Sequence, residues 1–200
     1  MPRAVSEKLT ALIEAFSQLP GVGPKTAEKY AFYVLKAQTR EALGLAQAIT
    51  DVKESMKVCT SCFALADRDP CSICSDPKRD HSVICVVEQP KDVWTVERAE
   101  TYNGLYHVLM GRIAPLDGVG PEDLTLNELA ARVKAGGVRE VIVATNPDAE
   151  GDITAACVKE RLASGGARVT RLARGIPTGA TLEHASRQML ADALEGRRET

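Results

Sequence analysis

Four cysteines in two close pairs are the residues in this 200-residue chain whose types and spacing point most directly to chemistry. Cys59 and Cys62 form the first pair and Cys71 and Cys74 the second, with eight residues between the pairs. Two Cys-x-x-Cys pairs at this separation can direct four thiolates at one ion. A closed shell of four thiolates leaves no coordination position for water, so the spacing predicts one structural zinc ion per chain and no reaction at the metal.

The start of the chain argues against disulfides as the purpose of these cysteines. It begins Met1-Pro2-Arg3 without the apolar stretch that marks a protein for export, and disulfides persist mainly in exported proteins. No apolar run approaches the length that spans a membrane. We therefore expect a cytoplasmic protein with reduced thiols and no membrane contact.

A glycine turn followed by lysines is the second chemical feature. The segment 19–25 (Leu-Pro-Gly-Val-Gly-Pro-Lys) joins two helical patterns through Gly21 and Gly23. Glycines allow a tight turn that exposes backbone N–H groups, and the helix that begins there presents its positive end to an anion. Lys25 and Lys29 lie four residues apart, on one face of that helix. The pattern predicts a helix-hairpin-helix that contacts the DNA backbone without reading bases; a hairpin whose glycines only turn the chain is the alternative.

Acidic residues follow two predicted strands and form the third feature. Glu88 ends one strand, and a second strand leads into Asp148, Glu150 and Asp152. Because the carboxyl ends of parallel strands face one crevice, these four carboxylates are expected to gather there and to offer a Mg²⁺ site or a contact for a basic partner. The alternative is that Asp148 and Glu150 simply begin a helix, where acidic residues are favoured.

The hydrophobic periodicity predicts the elements that must position these residues. Helices are expected at 4–18, from about 25, at about 40–56, 91–99, 126–134, 151–162 and 181–194, and strands at 82–87, 105–110, 141–144 and 168–173. Alternating strands and helices imply an α/β protein with a mostly parallel sheet. We therefore predict a multidomain chain with these parts: a helix-hairpin-helix DNA-binding head (1–56), a four-cysteine zinc finger (57–80), a mostly parallel α/β body (81–176) and a C-terminal helical segment (177–200).

The charge distribution limits how this chain can bind DNA. The net charge is −2, residues 57–158 carry ten Lys/Arg against sixteen Asp/Glu, and both ends carry a small basic excess. Affinity for DNA rises with the number of phosphates neutralised, so a single copy should bind weakly through its ends. The single tryptophan, Trp94, and the few other aromatic residues form no stacking platform of the kind that single-strand binders use.

The segment 144–152 (Ala-Thr-Asn-Pro-Asp-Ala-Glu-Gly-Asp), together with Glu88, resembles the Toprim domain of topoisomerases and primases. In that superfamily the second motif is Asp-x-Asp, and here Asn146 stands at its first position. An amide cannot supply the charge that holds Mg²⁺ against water, so the resemblance implies at most weak Mg²⁺ binding. A Mg²⁺-dependent nuclease or primase-like enzyme that uses Glu88 and Asp148 is the rival hypothesis.

The order of helix-hairpin-helix, four-cysteine zinc finger and Toprim domain is similar, over essentially the whole chain, to the RecR family of bacterial recombination mediators. The segments that carry this resemblance are 19–25, 84–88, 104–109, 115–121 and 173–179. It implies a non-enzymatic DNA-repair protein that forms a ring-shaped tetramer around DNA and works with RecO and RecF to load RecA at single-stranded gaps. The chain departs from the family pattern at Ala114, where Ser is usual, and within 180–186, where two acidic positions hold Thr181 and Ser186.

Overall fold

The computed structural model describes residues 6–197. Residues 1–5 and 198–200 lie outside the described part, and with them the first two residues of the first predicted helix (4–18). The chain divides into two compact units, Met1–Met56 and Lys57–Thr200. Within the described part, no helix combines the length and the apolar character that crossing a membrane would require.

The first unit is helical, as predicted. Its helices are α1 (Glu7–Ser17), α2 (Pro24–Lys36) and α3 (Thr39–Ser55). Pro24 occupies the first turn of α2, where its missing N–H costs no hydrogen bond. The α1 and α2 helices pack together around the buried Ala27 and Ala31, and the ring of Phe16 meets that of Tyr30 edge to face at 5.8 Å. Neither α1 nor α3 contains a fully buried residue.

The second unit contains a short ribbon and an α/β body. Its strands are β1 (Lys57–Val58), β2 (Leu65–Ala66), β3 (Asp80–Val87), β4 (Gly104–Val108), β5 (Glu140–Val143) and β6 (Arg168–Arg171). Its helices are α4 (Pro90–Glu97), α5 (Leu126–Lys134), α6 (Ala149–Arg161) and α7 (Arg187–Glu195). The main sheet has the order β4-β3-β5-β6 with every pairing parallel, which confirms the predicted fold class.

Alternate residues of β3 face two different cores, as the pleat of a strand requires. Ile84 and Val86 belong to a core completed by α5 and α6, whose buried members include Leu129 and Val158. The opposite face of the sheet packs against α4 and against the zinc finger. The buried residues of that second core are Cys59, Cys62, Ala64, Cys71, Cys85, Val87, Val93, Tyr106 and Val108. The zinc finger is therefore part of a covering layer of the sheet.

The prediction of one final helix over 181–194 is wrong. The structure has a short 3₁₀ turn at Leu182–His184, an interruption, and then α7. Ser186 explains the new start, because its hydroxyl oxygen accepts a hydrogen bond from the Met189 backbone N–H and so caps the helix. The predicted strand 105–110 is also too long, since it ends at Val108 and Met110 has a φ of 64°.

Candidate nucleic-acid interface and metal centre

The four predicted zinc ligands come together in the structure. The Sγ atoms of Cys59, Cys62, Cys71 and Cys74 all lie within 4.8 Å of one another, and those of Cys62 and Cys71 are 3.6 Å apart. Tetrahedral zinc with Zn–S bonds of about 2.3 Å places its sulfurs about 3.8 Å apart, so the arrangement fits this metal. Within residues 6–197, this is the one group of three or more such side chains whose ligand atoms could share an ion.

Backbone geometry prepares this site for thiolates. The backbone N–H of Cys71 donates to Cys59 Sγ at 3.4 Å, and the N–H of Cys74 donates to Cys71 Sγ at 3.3 Å. Hydrogen bonding with Cys74 and burial together raise the pKa of Cys62, and burial raises the pKa of Cys71. Cys62 and Cys71 therefore resist ionisation unless a cation compensates the charge, and zinc would supply that cation. One structural zinc on these four cysteines is confirmed as the cofactor.

The zinc finger is fastened to the sheet through β4. The backbone N–H of Val108 donates to the carbonyl oxygen of Cys62 at 2.8 Å. The ring of Phe63 meets the buried ring of His107 edge to face at 5.3 Å. The Nε2 atom of His107 lies 2.9 Å from the carbonyl oxygen of Thr125, and burial lowers the pKa of His107 to about 4. The imidazole is therefore neutral at pH 7 and packs as part of the core.

The glycine turn of the first unit exposes donors for an anion. Gly21 has a φ of 78°, a left-handed conformation that favours glycine. A Cβ atom at Gly21 or at Gly23 would meet no other atom within 4 Å, so both positions open to solvent. Among residues 6–197, neither backbone N–H has a hydrogen-bond partner, while Gly23 caps the start of α2. The turn and the helix end therefore have free N–H groups that suit a phosphate, and DNA contact at this turn stays a prediction.

Lysines extend from this turn along one face of α2. Lys25 and Lys29 are exposed, and neither forms an ion pair with another described residue. The sequence analysis missed Lys36, which continues the same face seven residues beyond Lys29. Lys29 and Lys36 line a groove of about 430 Å³ with Phe32 and Tyr33 between them. The signal that could have revealed this groove is the helical spacing of 25, 29, 32 and 36.

Glu88 lies at the end of β3, where it is almost fully buried with 3% of its surface exposed. Its two carboxylate oxygens accept hydrogen bonds from Asn146, one from the backbone N–H at 2.8 Å and one from the side-chain Nδ2 at 2.7 Å. The amide that replaces the expected Toprim carboxylate therefore binds Glu88 directly. Each carboxylate oxygen of Glu88 therefore already accepts one hydrogen bond from Asn146.

Arginines form ion pairs with the other three carboxylates, those of Asp148, Glu150 and Asp152, and we call the segment 148–152 the acidic loop. Arg112 contacts Asp148 at 3.1 Å and Glu150 at 2.6 Å. Asp152 contacts Arg171 at 2.9 Å and also pairs with Arg174, and the hydrogen bond from Arg174 holds the pKa of Asp152 below its usual range. Asp148 also begins α6, because its Oδ1 accepts from the Gly151 N–H at 2.7 Å. The alternative that Asp148 begins a helix is therefore correct.

The four carboxylates follow the neighbouring parallel strands β3 and β5, but within residues 6–197 no three of them bring their oxygens close enough to share one ion. Glu88 pairs with an amide, Asp148 and Glu150 share one arginine, and Asp152 faces two others. The backbone of this loop turns sharply, so that Gly151 lies against the carbonyl oxygen of Asn146. A Cβ atom at Gly151 would overlap that oxygen. Sequence reasoning missed the arginines, since nothing in the spacing of Arg112 or Arg171 relates them to the loop. Mg²⁺ binding here stays a prediction that would require these partners to be displaced.

These features define a class of protein. It has a helix-hairpin-helix unit suited to a nucleic-acid backbone, a structural zinc finger, and a Toprim-like body whose acidic positions are held by amide and arginine groups. Three family models match the chain: the RecR helix-hairpin-helix over residues 9–53, the RecR four-cysteine zinc finger domain over 56–76, and the Toprim domain over 82–173.

Curated relatives cover nearly the whole chain. A protein of Chloroflexus aurantiacus named Recombination protein RecR is 53% identical over 195 residues, which is 98% of this chain and 96% of the relative. Proteins of the same name from Chloroflexus aggregans and Moorella thermoacetica are 52% and 50% identical, over 98% and 96% of this chain and 95% and 97% of the relatives. The chain belongs to the RecR family. The expectation of a recombination mediator in DNA repair is thereby confirmed.

Proposed function

We propose that this recombination mediator is a non-enzymatic DNA clamp that holds the DNA backbone through its head (1–56). The observation that carries the proposal is the turn at Gly21 and Gly23, whose free N–H groups stand beside Lys25 and Lys29 on the next helix. These groups suit phosphate oxygens, which every sequence shares, so binding should show little base preference. Lys36 adds a third cation on the same face of α2.

Self-association makes this weak contact effective. One head offers a few donors and three lysines, so one copy should bind feebly at physiological salt. The exposed apolar face of α3 supports assembly: Leu45, Ile49 and Val52 are 48%, 59% and 59% exposed and lie at helical spacing. We propose that other copies cover this face in a ring-shaped tetramer. Several heads on one DNA then act at high effective concentration, which explains how a chain of net charge −2 binds DNA.

The proposed absence of catalysis rests on the acidic loop. A Toprim enzyme needs carboxylates free to hold Mg²⁺, whereas Glu88 is hydrogen-bonded to Asn146, and Asp148 and Glu150 are paired with Arg112. We propose that Asp148, Glu150 and Asp152, which are partly exposed, instead contact a basic patch on a protein partner or hold Mg²⁺ weakly.

We also propose partners, a location and a division of roles that fit a recombination mediator. RecO and RecF are the proposed protein partners in loading RecA at single-stranded gaps, and the cytoplasm is the proposed location because the DNA under repair lies there. We retain the division into a DNA-binding head, a zinc finger (57–80), a Toprim body (81–176) and a C-terminal segment (177–200) as a proposal about which part does what.

The experiment changes Lys25 and Lys29 together to Glu in the full chain. DNA binding, measured by the anisotropy of labelled duplex in a salt series, should fall below detection at physiological salt, while the parent binds with a steep salt dependence. The matched control changes Lys8 and Arg40, two other exposed cations of the same unit that lie off the apolar face of α3, to Glu. Equal binding by the Lys25/Lys29 variant and the parent would overturn the proposal.

A further inference from the structure

The only tryptophan of the chain is on an outward face of the body. Trp94 lies in α4 with 55% of its surface exposed. Lys91 stands three residues before it and Arg98 four residues after it, and both are at least partly exposed. Residues at these spacings share one side of a helix. We name Lys91, Trp94 and Arg98 together the α4 surface.

The acidic residues of α4 are committed elsewhere. Asp92 accepts a hydrogen bond from the Gln89 backbone N–H at 2.8 Å, which fixes the start of the helix. Glu97 is held by Arg79 and accepts from the Tyr106 hydroxyl at 2.6 Å. In the described part of the chain neither Lys91 nor Arg98 forms an ion pair. The α4 surface is therefore an aromatic ring between two uncompensated positive charges.

The helix holds this ring in place and leaves its faces open. Val93 is buried and Val96 partly buried in the core beneath α4, so the helix is anchored to the sheet. Among residues 6–197, no aromatic ring stacks against the indole of Trp94. A rigidly presented, unstacked ring between cations is the arrangement on which single-stranded nucleic acids are bound, with bases on the ring and phosphates at the cations.

We propose that the α4 surface is a second DNA-binding site, separate from the glycine turn, which takes single-stranded DNA by stacking a base on Trp94. This proposal rests on the proposed function. It also gives the protein a way to distinguish single strands from duplex, because bases inside a duplex are already stacked on one another and are not free to stack on Trp94. An exposed tryptophan can also serve a protein contact. The two free cations favour a polyanion, so we commit to DNA. The ring is one stacking position, in keeping with the expectation that the chain lacks an extended platform.

The single tryptophan makes a direct test available. The full-length protein is titrated with labelled single-stranded oligothymidylate and with duplex of the same length, and DNA anisotropy and tryptophan emission are recorded on the same samples. Because all tryptophan emission comes from Trp94, base stacking should quench it in parallel with the rise in anisotropy for the single strand. Duplex should raise the anisotropy without comparable quenching.

Variants separate stacking from general electrostatics. Trp94→Ala should weaken single-strand binding about tenfold and duplex binding little, whereas Trp94→Phe should retain most of the affinity. Changing Lys91 and Arg98 to Glu should weaken single-strand binding and suppress the quenching of Trp94. The matched control changes Lys134 and Lys159, two exposed lysines of α5 and α6 in the same unit, to Glu, and it should keep the quenching.

Three outcomes would overturn the proposal. Anisotropy that rises on single strands without quenching would reject the α4 surface and leave the head as the DNA site. Anisotropy that rises on neither DNA would reject the proposed function and this inference together. A Trp94 emission already shielded from acrylamide in the free protein would mean that another protein surface, such as a second copy, covers the ring.

Discussion

At the scale of single residues, two hydrogen bonds from Asn146 hold the carboxylate of Glu88. A carboxylate that is 3% exposed needs donors around it, and Asn146 supplies two. An aspartate at 146 would supply only the backbone N–H and would add a like charge. The amide therefore stabilises the fold at the position where an enzyme of this fold would need a metal ligand.

Asn146→Asp should lower the free energy of unfolding by about 1–3 kcal/mol, because a buried carboxylate loses a donor and gains a repelling neighbour. Urea unfolding at neutral pH measures this, and added Mg²⁺ should recover part of the loss in the variant alone, since a cation can bridge the two carboxylates. Asn127→Asp is the control, because this exposed side chain accepts a hydrogen bond from Arg161 through Oδ1 and an aspartate keeps that contact. Equal stabilisation of the parent by Mg²⁺ would show that the loop binds the ion without this carboxylate.

At the scale of elements, the zinc finger is a covering layer of the sheet. Three of its cysteines share a core with Val87, Tyr106 and Val108, and the Cys62 carbonyl accepts from the Val108 N–H. The opposite core, beneath α5 and α6, contains none of the four cysteines among its described residues and meets the zinc finger through the partly buried Ile73. Loss of zinc should therefore disturb the zinc-finger face of the body more than the opposite face.

Cys71→Ala should abolish zinc binding, which contributes on the order of 10 kcal/mol to local folding. Hydrogen exchange should then accelerate at Val108 and throughout the zinc finger, while the amides of β5 stay protected by pairing with β3 and by the core beneath α5 and α6. Cys157→Ala, which removes a half-buried cysteine outside the site, is the control. Full protection of the zinc finger in Cys71→Ala, or zinc content equal to the parent, would contradict this account.

Local patterns in the sequence predict most elements, and contacts between distant segments account for what they miss. The Cys-x-x-Cys spacing specifies the metal site because all four ligands are close in the chain, and α5 was predicted over the residues where it occurs, Leu126–Lys134. The ion pairs of Arg112 join segments that are 36 residues or more apart in the sequence, and the hydrophobic periodicity of the sequence does not predict such contacts. The break before α7 depends on one serine cap, a weaker signal than the apolar spacing that surrounds it.

At the scale of the whole molecule, we propose that α3 is the element that a second copy covers. Ile49→Glu should convert the assembly into smaller species, because a charge buried in an interface without a partner costs about 3–5 kcal/mol. Analytical ultracentrifugation measures the change. Leu116→Glu is the matched control, since Leu116 is 98% exposed in the short 3₁₀ helix Pro115–Asp117 of the other unit. Dissociation by both variants alike would remove α3 as the proposed contact.

The central claim is that a weakly binding head becomes a DNA clamp through assembly around the DNA. Native mass spectrometry of the full-length protein at micromolar concentration, with and without duplex DNA, tests it in one measurement. The account predicts a tetramer with one zinc ion per chain that takes up a single duplex. A monomer under these conditions, or separate monomers each bound to DNA, would contradict it.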